Sequence, residues 1–426
     1  MKKILNILRF GVNCEGVAED EGKIIFVENA LLGEVCECEI YKQKNNLQFA
    51  KNINTIKQSE DRIQPLCPYF FECGGCDIQH INYKKGLQVK TEAVANNLKK
   101  IGGIQAQVMP CIESPENFYY RNKLVFAISK NAKLGFFKKN THEIVECLDC
   151  TIAKKEINKL IQPINNLLQN HKHLVYDWQT QKGVIKNIEI RFCENEYSCI
   201  VVQTEKNDAF AKQLQKIFEN SNQKFSLYIS VNKKNNSLIY GDLIFVAGEK
   251  NPIHRPFGFV QINTNIKNII YQQISKITNG GVVVDAYAGA CELSAIIAKK
   301  AKQVFAIEIS EQSCHDAQNM IKQQKISNLF VENGDCAHIL PQICKNSAVD
   351  CLLLDPPRKG CDEKVIDIIL KQKPKQIIYL SCNSATLARD LKFIMASGLY
   401  NIVFVQPYDM FAWSSEIETL VYLERK

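Results

Sequence analysis

In the last third of the chain, short apolar blocks alternate with stretches whose apolar residues recur every three or four positions. Gly281-Val282-Val283-Val284-Asp285, Val304 to Ile309, Leu352-Leu353-Leu354 and Gln376-Ile377-Ile378-Tyr379-Leu380 are the blocks. Continuous apolar runs of this length predict strands buried on both faces, as in a parallel sheet. Glu292 to Lys300 and Thr386 to Phe393 carry the helical period between them. Residues 256–426 therefore predict an α/β domain, closed by an antiparallel hairpin of Ile402 to Gln406 and Glu416 to Glu424. Near the start the period is two: Lys23 to Val27 and Glu34 to Tyr41 alternate between Gly16, Gly22 and Gly33, which predicts a small β-module over residues 1–58. Residues 59–255 mix both patterns and predict an α+β domain. It has helices at 87–101, 152–169 and 208–220, and strands at Tyr119 to Phe126, Ile188 to Phe192 and Ser198 to Gln203.

Composition changes this picture in two ways. A net charge of +8, from 53 basic and 45 acidic residues, permits nucleic acid as a partner without requiring it. The 18 cysteines are scattered and nothing approaches a transmembrane length, so a reducing cytoplasm and no membrane are expected, with metal or thiol chemistry rather than disulfides. The basic stretch Lys42-Gln43-Lys44 beside the second β-run suits RNA contact and a merely solvated face about equally.

Candidate chemistry gathers where the strands end. Cys382 follows the last apolar block and precedes a helix, the place where open α/β sheets keep their ligands and where a helix N-terminus favours a thiolate. Glu308 ends the second strand 23 residues after Asp285, placed to accept from ribose hydroxyls as in a nucleotide-type βαβ unit. The turn between them, Ala286-Tyr287-Ala288-Gly289-Ala290, has one glycine where pyrophosphate binders have three, which points to an adenosyl cofactor without phosphates. Asp335 and Asp355 end the next strands. Upstream, Cys67, Cys73 and Cys76 lie among prolines and glycines that let a loop wrap a zinc ion or an iron–sulfur cluster; a fourth thiolate must come from elsewhere, Cys147 or Cys150.

Together these residues resemble the RNA uracil-5-methyltransferase family, in its branch acting on 23S ribosomal RNA with a TRAM domain and a 4Fe-4S cluster. The resemblance covers nearly the whole chain: Glu15-Gly16-Val17-Ala18 and Gly33-Glu34-Val35 in the β-module, the cysteine motif, Tyr120-Arg121-Asn122-Lys123, Phe257 to Asn263, Ser381-Cys382-Asn383 with Thr386 to Asp390, and Asp409 to Glu418. It implies a Rossmann-like S-adenosylmethionine domain with a TRAM-like, RNA-binding barrel and a cluster-bearing central domain. Gln261, Tyr287, Glu308, Asp355 and Asp335 would contact S-adenosylmethionine. Cys382 would be the nucleophile and Glu418 the general base. Aligning Ile144-Val145-Glu146 selects Cys150 as fourth cluster ligand beside Cys67, Cys73 and Cys76. A monomer acting on a loop uridine of 23S rRNA is the expectation.

The chain departs from the family at Cys291 and Glu292, where glycine and a polar amide residue are usual, and at Ala412, Ser414 and Glu416, where Pro, Thr and His are usual. Strand alternation would point Glu416 and Glu418 to one face and raise the base's pKa. Transfer RNA is an alternative substrate. A cytosine-5-methyltransferase would use the same thiol addition, usually with a Pro-Cys pair, whereas Cys382 follows Ser381. A non-catalytic iron–sulfur RNA-binding protein is the alternative from another class.

Overall fold

The computed structural model describes residues 2–232, 242–249 and 260–426. Phe257-Gly258-Phe259 and the expected 255/256 boundary lie outside the described residues.

Six strands open the chain: β1 (Lys2–Asn6), β2 (Arg9–Phe10), β3 (Gly16–Asp20), β4 (Lys23–Glu28), β5 (Val35–Lys44) and β6 (Leu47–Lys57), ordered β1-β5-β6-β4-β3-β2. Alternation puts Ile25 and Val27 of β4 inside with Leu5, Ala18, Cys36, Cys38 and Ala50. The two-residue β5–β6 connection uses Asn45 at φ 53°, a left-handed conformation that asparagine tolerates. Glu34, 1 % exposed, accepts from Arg62 at 2.5 and 2.7 Å and from the Leu31 amide at 2.8 Å. Burial alone would raise its pKa, but these hydrogen bonds prevail and hold it below the usual carboxylate value. The helix α1 (Tyr83–Lys100) follows, capped by the Asn82 side chain.

The middle of the chain forms a second sheet: β7 (Lys123–Ile128), β8 (Leu134–Phe137), β9 (Ile144–Glu146), β10 (Ile185–Cys193), β11 (Glu196–Gln203), β12 (Lys224–Val231) and β13 (Asp242–Gly248). Its order is β13-β12-β11-β10-β7-β8-β9, antiparallel except for β11–β12. The helices α2 (Lys155–Asn170) and α3 (Asp208–Glu219) bury Ile157, Ile161, Phe210 and Leu214 in one core with Phe126, Ile188 and Ile190. The strand expected from Tyr119 begins only at Lys123, and Tyr119 stands at φ 56°.

The last part contains α4 (Thr264–Ile277), β14 (Val282–Ala286), α5 (Glu292–Ala298), β15 (Gln303–Glu308), α6 (Glu311–Gln324), β16 (Leu329–Asn333), α7 (Cys336–Asn346), β17 (Cys351–Leu354), α8 (Glu363–Gln372), β18 (Gln376–Ser381), α9 (Ser384–Ala396), β19 (Tyr400–Tyr408) and β20 (Glu418–Arg425). The sheet runs β16-β15-β14-β17-β18-β20-β19, parallel through β18 and antiparallel at β20 and β19. One face packs on α7, α8 and α9 and the other on α4, α5 and α6, which is why the strands are apolar throughout.

The contacts divide the chain into two units, residues 1–64, 77–115 and 265–426 in one, 65–76 and 116–264 in the other. This corrects the expected uninterrupted central domain of 59–255. Val94 and Leu98 of α1 share a core with Leu387, Leu391 and Ile394 of α9, so residues 77–115 join the unit of the C-terminal sheet. Among the described residues no helix is long and apolar enough to cross a membrane.

Candidate active site

The pairing register builds the site. Ser381, the last residue of β18, is paired with Thr419 of β20. Because these strands are antiparallel, the next residue of one chain, Cys382, stands beside the preceding residue of the other, Glu418. On the opposite flank of β18, Leu354 of β17 pairs with Tyr379, and Asp355 follows it. A thiol and two carboxylates thus meet at the carboxyl edge of the parallel strands.

The side chains around Cys382 hold its turn. Asn383 caps α9 by accepting from the Ala385 and Thr386 amides at 3.0 and 3.4 Å, and its Nδ2 donates to the Arg358 carbonyl at 3.2 Å. Thr386 Oγ1 donates to the same carbonyl at 3.1 Å. Asp390, 2 % exposed, accepts from the Cys361 amide at 2.8 Å and the Tyr379 hydroxyl at 2.6 Å, while Arg389 bridges it to the Lys359 carbonyl. Gly360 stands at φ 79°, and a Cβ there would come within 2.5 Å of Asp390 Oδ2. The loop after Asp355 and the first turns of α9 are therefore one hydrogen-bonded piece. The residues that do this, Tyr379, Asp390 and Gly360, were not singled out by their chemistry in the sequence; only the Thr-Leu-Ala-Arg-Asp match hinted at them.

Electrostatics at the thiol run against the expectation from its helix. Burial first, then Glu418, pushes the Cys382 thiol up to about 11, with Asp355 and Glu416 adding and Arg358 opposing. Glu418 is 2 % exposed, and its Oε1 has no hydrogen-bond partner among the described residues. Burial, Asp355 and Glu416, in that order, raise its pKa well above the ordinary value. Glu416 does not alternate with Glu418 along a strand, because β20 begins at Glu418; it sits in the preceding loop and pairs with the exposed Arg358. Asp355 is pushed up to about 7 by burial and then by Asp285, itself raised to about 6 by burial.

The candidate cofactor residues follow the same edge. Glu308 is pinned by the Gly289 amide on Oε2 at 2.9 Å and the Ser310 amide on Oε1 at 2.8 Å, which fixes its carboxylate at the strand end with lone pairs to spare. Tyr287 stands at φ 68° with its phenol against Cys361 and Cys336. Asp335 is exposed and caps α7 through the Ala337 amide at 2.8 Å. Gln261 is buried in the other unit, its carbonyl accepting from Asn122 Nδ2 at 3.0 Å. Two of the departures have local accounts here. Cys291 takes the left-handed conformation (φ 61°) that a glycine would adopt without strain, and Glu292 pairs with Lys267 at 2.6 Å.

The segment that leads into Glu418 is anchored in the same unit. Asp409 and Lys90, 0 % and 1 % exposed, pair at 2.6 Å, and the Tyr83 hydroxyl donates to Asp409 Oδ2 at 2.7 Å. Trp413, bulky and at φ 67°, occupies a conformation that costs about 1–2 kcal/mol.

In the second unit, Cys67, Cys73, Cys76, Cys147 and Cys150 line one cavity of about 470 Å³ together with Tyr69, Arg121 and Arg191. The Gly75 amide donates to Cys73 Sγ at 3.4 Å. Burial pushes Cys150 up to about 11, with Cys73 and Cys67 contributing. Among the described residues no three His, Cys, Asp or Glu side chains come together as a group that could hold a metal ion.

Residues 340–426, which hold Asp355, Cys382 and Glu418, match the tRNA (Uracil-5-)-methyltransferase family. An uncharacterized RNA methyltransferase of Listeria innocua is 32% identical over 430 residues, covering 96% of this chain and 95% of that protein. Its counterpart from Halalkalibacterium halodurans is 31% identical over 432 residues, covering 96% and 94%. Among solved structures, the Pyrococcus abyssi tRNA (uracil-54, C5)-methyltransferase in complex with S-adenosyl-L-homocysteine superposes with a TM-score of 0.79. That match covers 99% of this chain and 100% of that one at 22% identity, a likeness of fold.

Proposed function

Since the chain belongs to the RNA uracil-5-methyltransferase family, we propose that it methylates C5 of one uridine in 23S rRNA through a covalent Cys382–C6 adduct. It is an S-adenosylmethionine-dependent RNA methyltransferase. The observation that supports the covalent mechanism is the register that sets Cys382 beside the buried, unpartnered Glu418 oxygen, and the choice of 23S rRNA rests on the resemblance alone.

The chemistry follows from that pair. Uracil C5 is too weak a nucleophile by itself. Cys382 acts as the thiolate, its proton lost to solvent; its sulfur bonds to C6 while the C5=C6 electrons move toward the C4 oxygen. Bound S-adenosylmethionine would supply an electrophilic sulfonium methyl: as C5 takes it the S–CH3 bond breaks and the neutral thioether, S-adenosylhomocysteine, leaves. Glu418 then accepts the C5 proton, C5=C6 re-forms, and the C6–S bond breaks to return the Cys382 thiolate. Arg358 lowers the cost of negative charge on Cys382 and Glu418. Glu308 would accept from the ribose hydroxyls, Tyr287, Asp335 and Asp355 would make further cofactor contacts, and Gln261 is assigned to the cofactor by the resemblance alone. The target base must leave its stack, which a loop permits more cheaply than a duplex.

The same reading gives Cys67, Cys73, Cys76 and Cys150 to a structural 4Fe-4S cluster, since no step above moves electrons to or from the protein. In support, the four thiols line one cavity of the second unit, and zinc is the alternative occupant. The N-terminal barrel would contact RNA as a TRAM-like module, presenting Lys42 over the Phe49 ring at 5.5 Å. The 18 cysteines scattered along the chain suit a reducing cytoplasm. Transfer RNA is the second reading, favoured by the substrates named for the matching family and for the Pyrococcus enzyme. Mass-spectrometric mapping of 5-methyluridine in RNA from cells lacking the gene decides between them. Loss of one 23S rRNA site, restored by the wild-type gene and not by Cys382→Ala, is expected; loss from transfer RNA alone would overturn the rRNA assignment.

A further inference from the structure

We propose that Asp77 is a positioning residue for Glu418, holding the segment that delivers the base to the reacting carbon. This rests on the reading of Glu418 given above.

Glu418 begins β20, so its backbone is fixed on one side by the ladder to Ser381 and Tyr408 through Thr419 and itself. On the other side it hangs from residues 409–417, which form no strand or helix. Asp77 gathers that segment. Its Oδ2 accepts from the Ser415 amide at 3.0 Å and from Ser415 Oγ at 3.1 Å. The amides of Asp77 and Ile78 both donate to the Trp413 carbonyl, at 2.8 and 3.1 Å. Trp413 stands in a left-handed conformation that a bulky residue keeps only when its surroundings impose it, and these two amides fix its carbonyl. The Trp413 ring lies 5.1 Å from that of Tyr83, whose hydroxyl reaches Asp409 at the start of the same segment.

The anchor acts three residues before the base and touches neither substrate nor cofactor, so its effect is geometric. With Ser415 released, Glu416 and Glu418 lose the constraint that sets the carboxylate against C5. Thiol addition and methyl transfer depend on Cys382 and the cofactor pocket, which Asp77 does not hold. The step that suffers is proton removal from C5, and the species before that step is the methylated covalent adduct. Because Asp77 directly follows Cys76, the anchor begins where the cysteine motif ends.

The test uses the full-length enzyme, methyl-labelled S-adenosylmethionine and RNA isolated from cells lacking the gene. Asp77→Ala, Asp77→Asn and Glu418→Gln are compared for label transferred in a single turnover, for multiple turnover, and for RNA-linked protein that survives denaturant. Asp77→Ala should transfer label nearly as wild type in the first turnover, fall about tenfold or more in steady state, and accumulate adduct. Asp77→Asn keeps an oxygen that can accept from Ser415 and should restore turnover without adduct. Full turnover by Asp77→Ala, or loss of label transfer with no adduct, would overturn the anchoring role while leaving Glu418 as base. Absence of adduct in Glu418→Gln itself would overturn the base assignment, and the anchor with it.

Discussion

Burial and the carboxylates of Glu418, Asp355 and Glu416 outweigh the helix N-terminus at Cys382, so the thiol keeps its proton at neutral pH. Glu418 is held toward its neutral form by the same burial. Both groups must lose a proton to act, and both are raised, so activity is low in acid and grows as pH rises toward their values. The kcat/KM for RNA is expected to climb with pH between about pH 6 and pH 9, by about tenfold per pH unit where one of the two groups is still protonated and by up to about 100-fold where both are. A flat or falling profile over that range would contradict this assignment of the two groups. The strand-end positions of Cys382 and Asp355 are legible in the sequence because a reactive side chain directly after an apolar block marks a strand end. Glu418, which opens β20, is reached only through the resemblance. The protonation of all three is not legible, since it depends on which charges meet across β17, β18 and β20. Glu416 does help raise the base's pKa, but not by alternating with it: alternation is a property of strands, and the strand starts two residues later.

At the scale of elements, the loop after β17 and the start of α9 are joined through Asp390, Arg389, Asn383 and Thr386. Gly360→Ala tests that join, since alanine is strained at φ 79° and its Cβ would displace Asp390. A loss of about 1–2 kcal/mol in stability, from the backbone conformation alone, is expected in thermal unfolding. Misplacing Arg358 and Asp355 should slow methyl transfer by about tenfold to 100-fold. Unchanged activity would show that the loop and helix move independently. The strands and helices of the C-terminal sheet were readable from their periods because burial on both faces writes them in apolar residues. The join was not, because Tyr379 and Asp390 read as an ordinary strand aromatic and an ordinary helix charge until they are brought within 2.6 Å. The start of β7 was likewise misread: Tyr119-Tyr120-Arg121-Asn122 has strand-forming aromatics, yet a left-handed Tyr119 breaks the run.

At the scale of the whole molecule, the sequence order of segments hid the exchange of residues 77–115 into the unit of the C-terminal sheet, since α1 reaches α9 across about 290 residues of chain, a separation no local pattern reports. The cysteine motif falls on the other side of that exchange, with Cys147 and Cys150 in its cavity. Anaerobically purified protein should be brown with about four iron per chain. Cys150→Ser should bleach it and Cys147→Ser should not; stoichiometric zinc in colourless protein would contradict the cluster. The central claim, however, is covalent catalysis by Cys382 with Glu418 as base, and peptide mass spectrometry of Glu418→Gln after reaction with RNA and S-adenosylmethionine tests it most directly. The account predicts a methylated uridine nucleotide attached to the peptide containing Cys382. Normal turnover with no attached nucleotide, or attachment at any other cysteine, would contradict it.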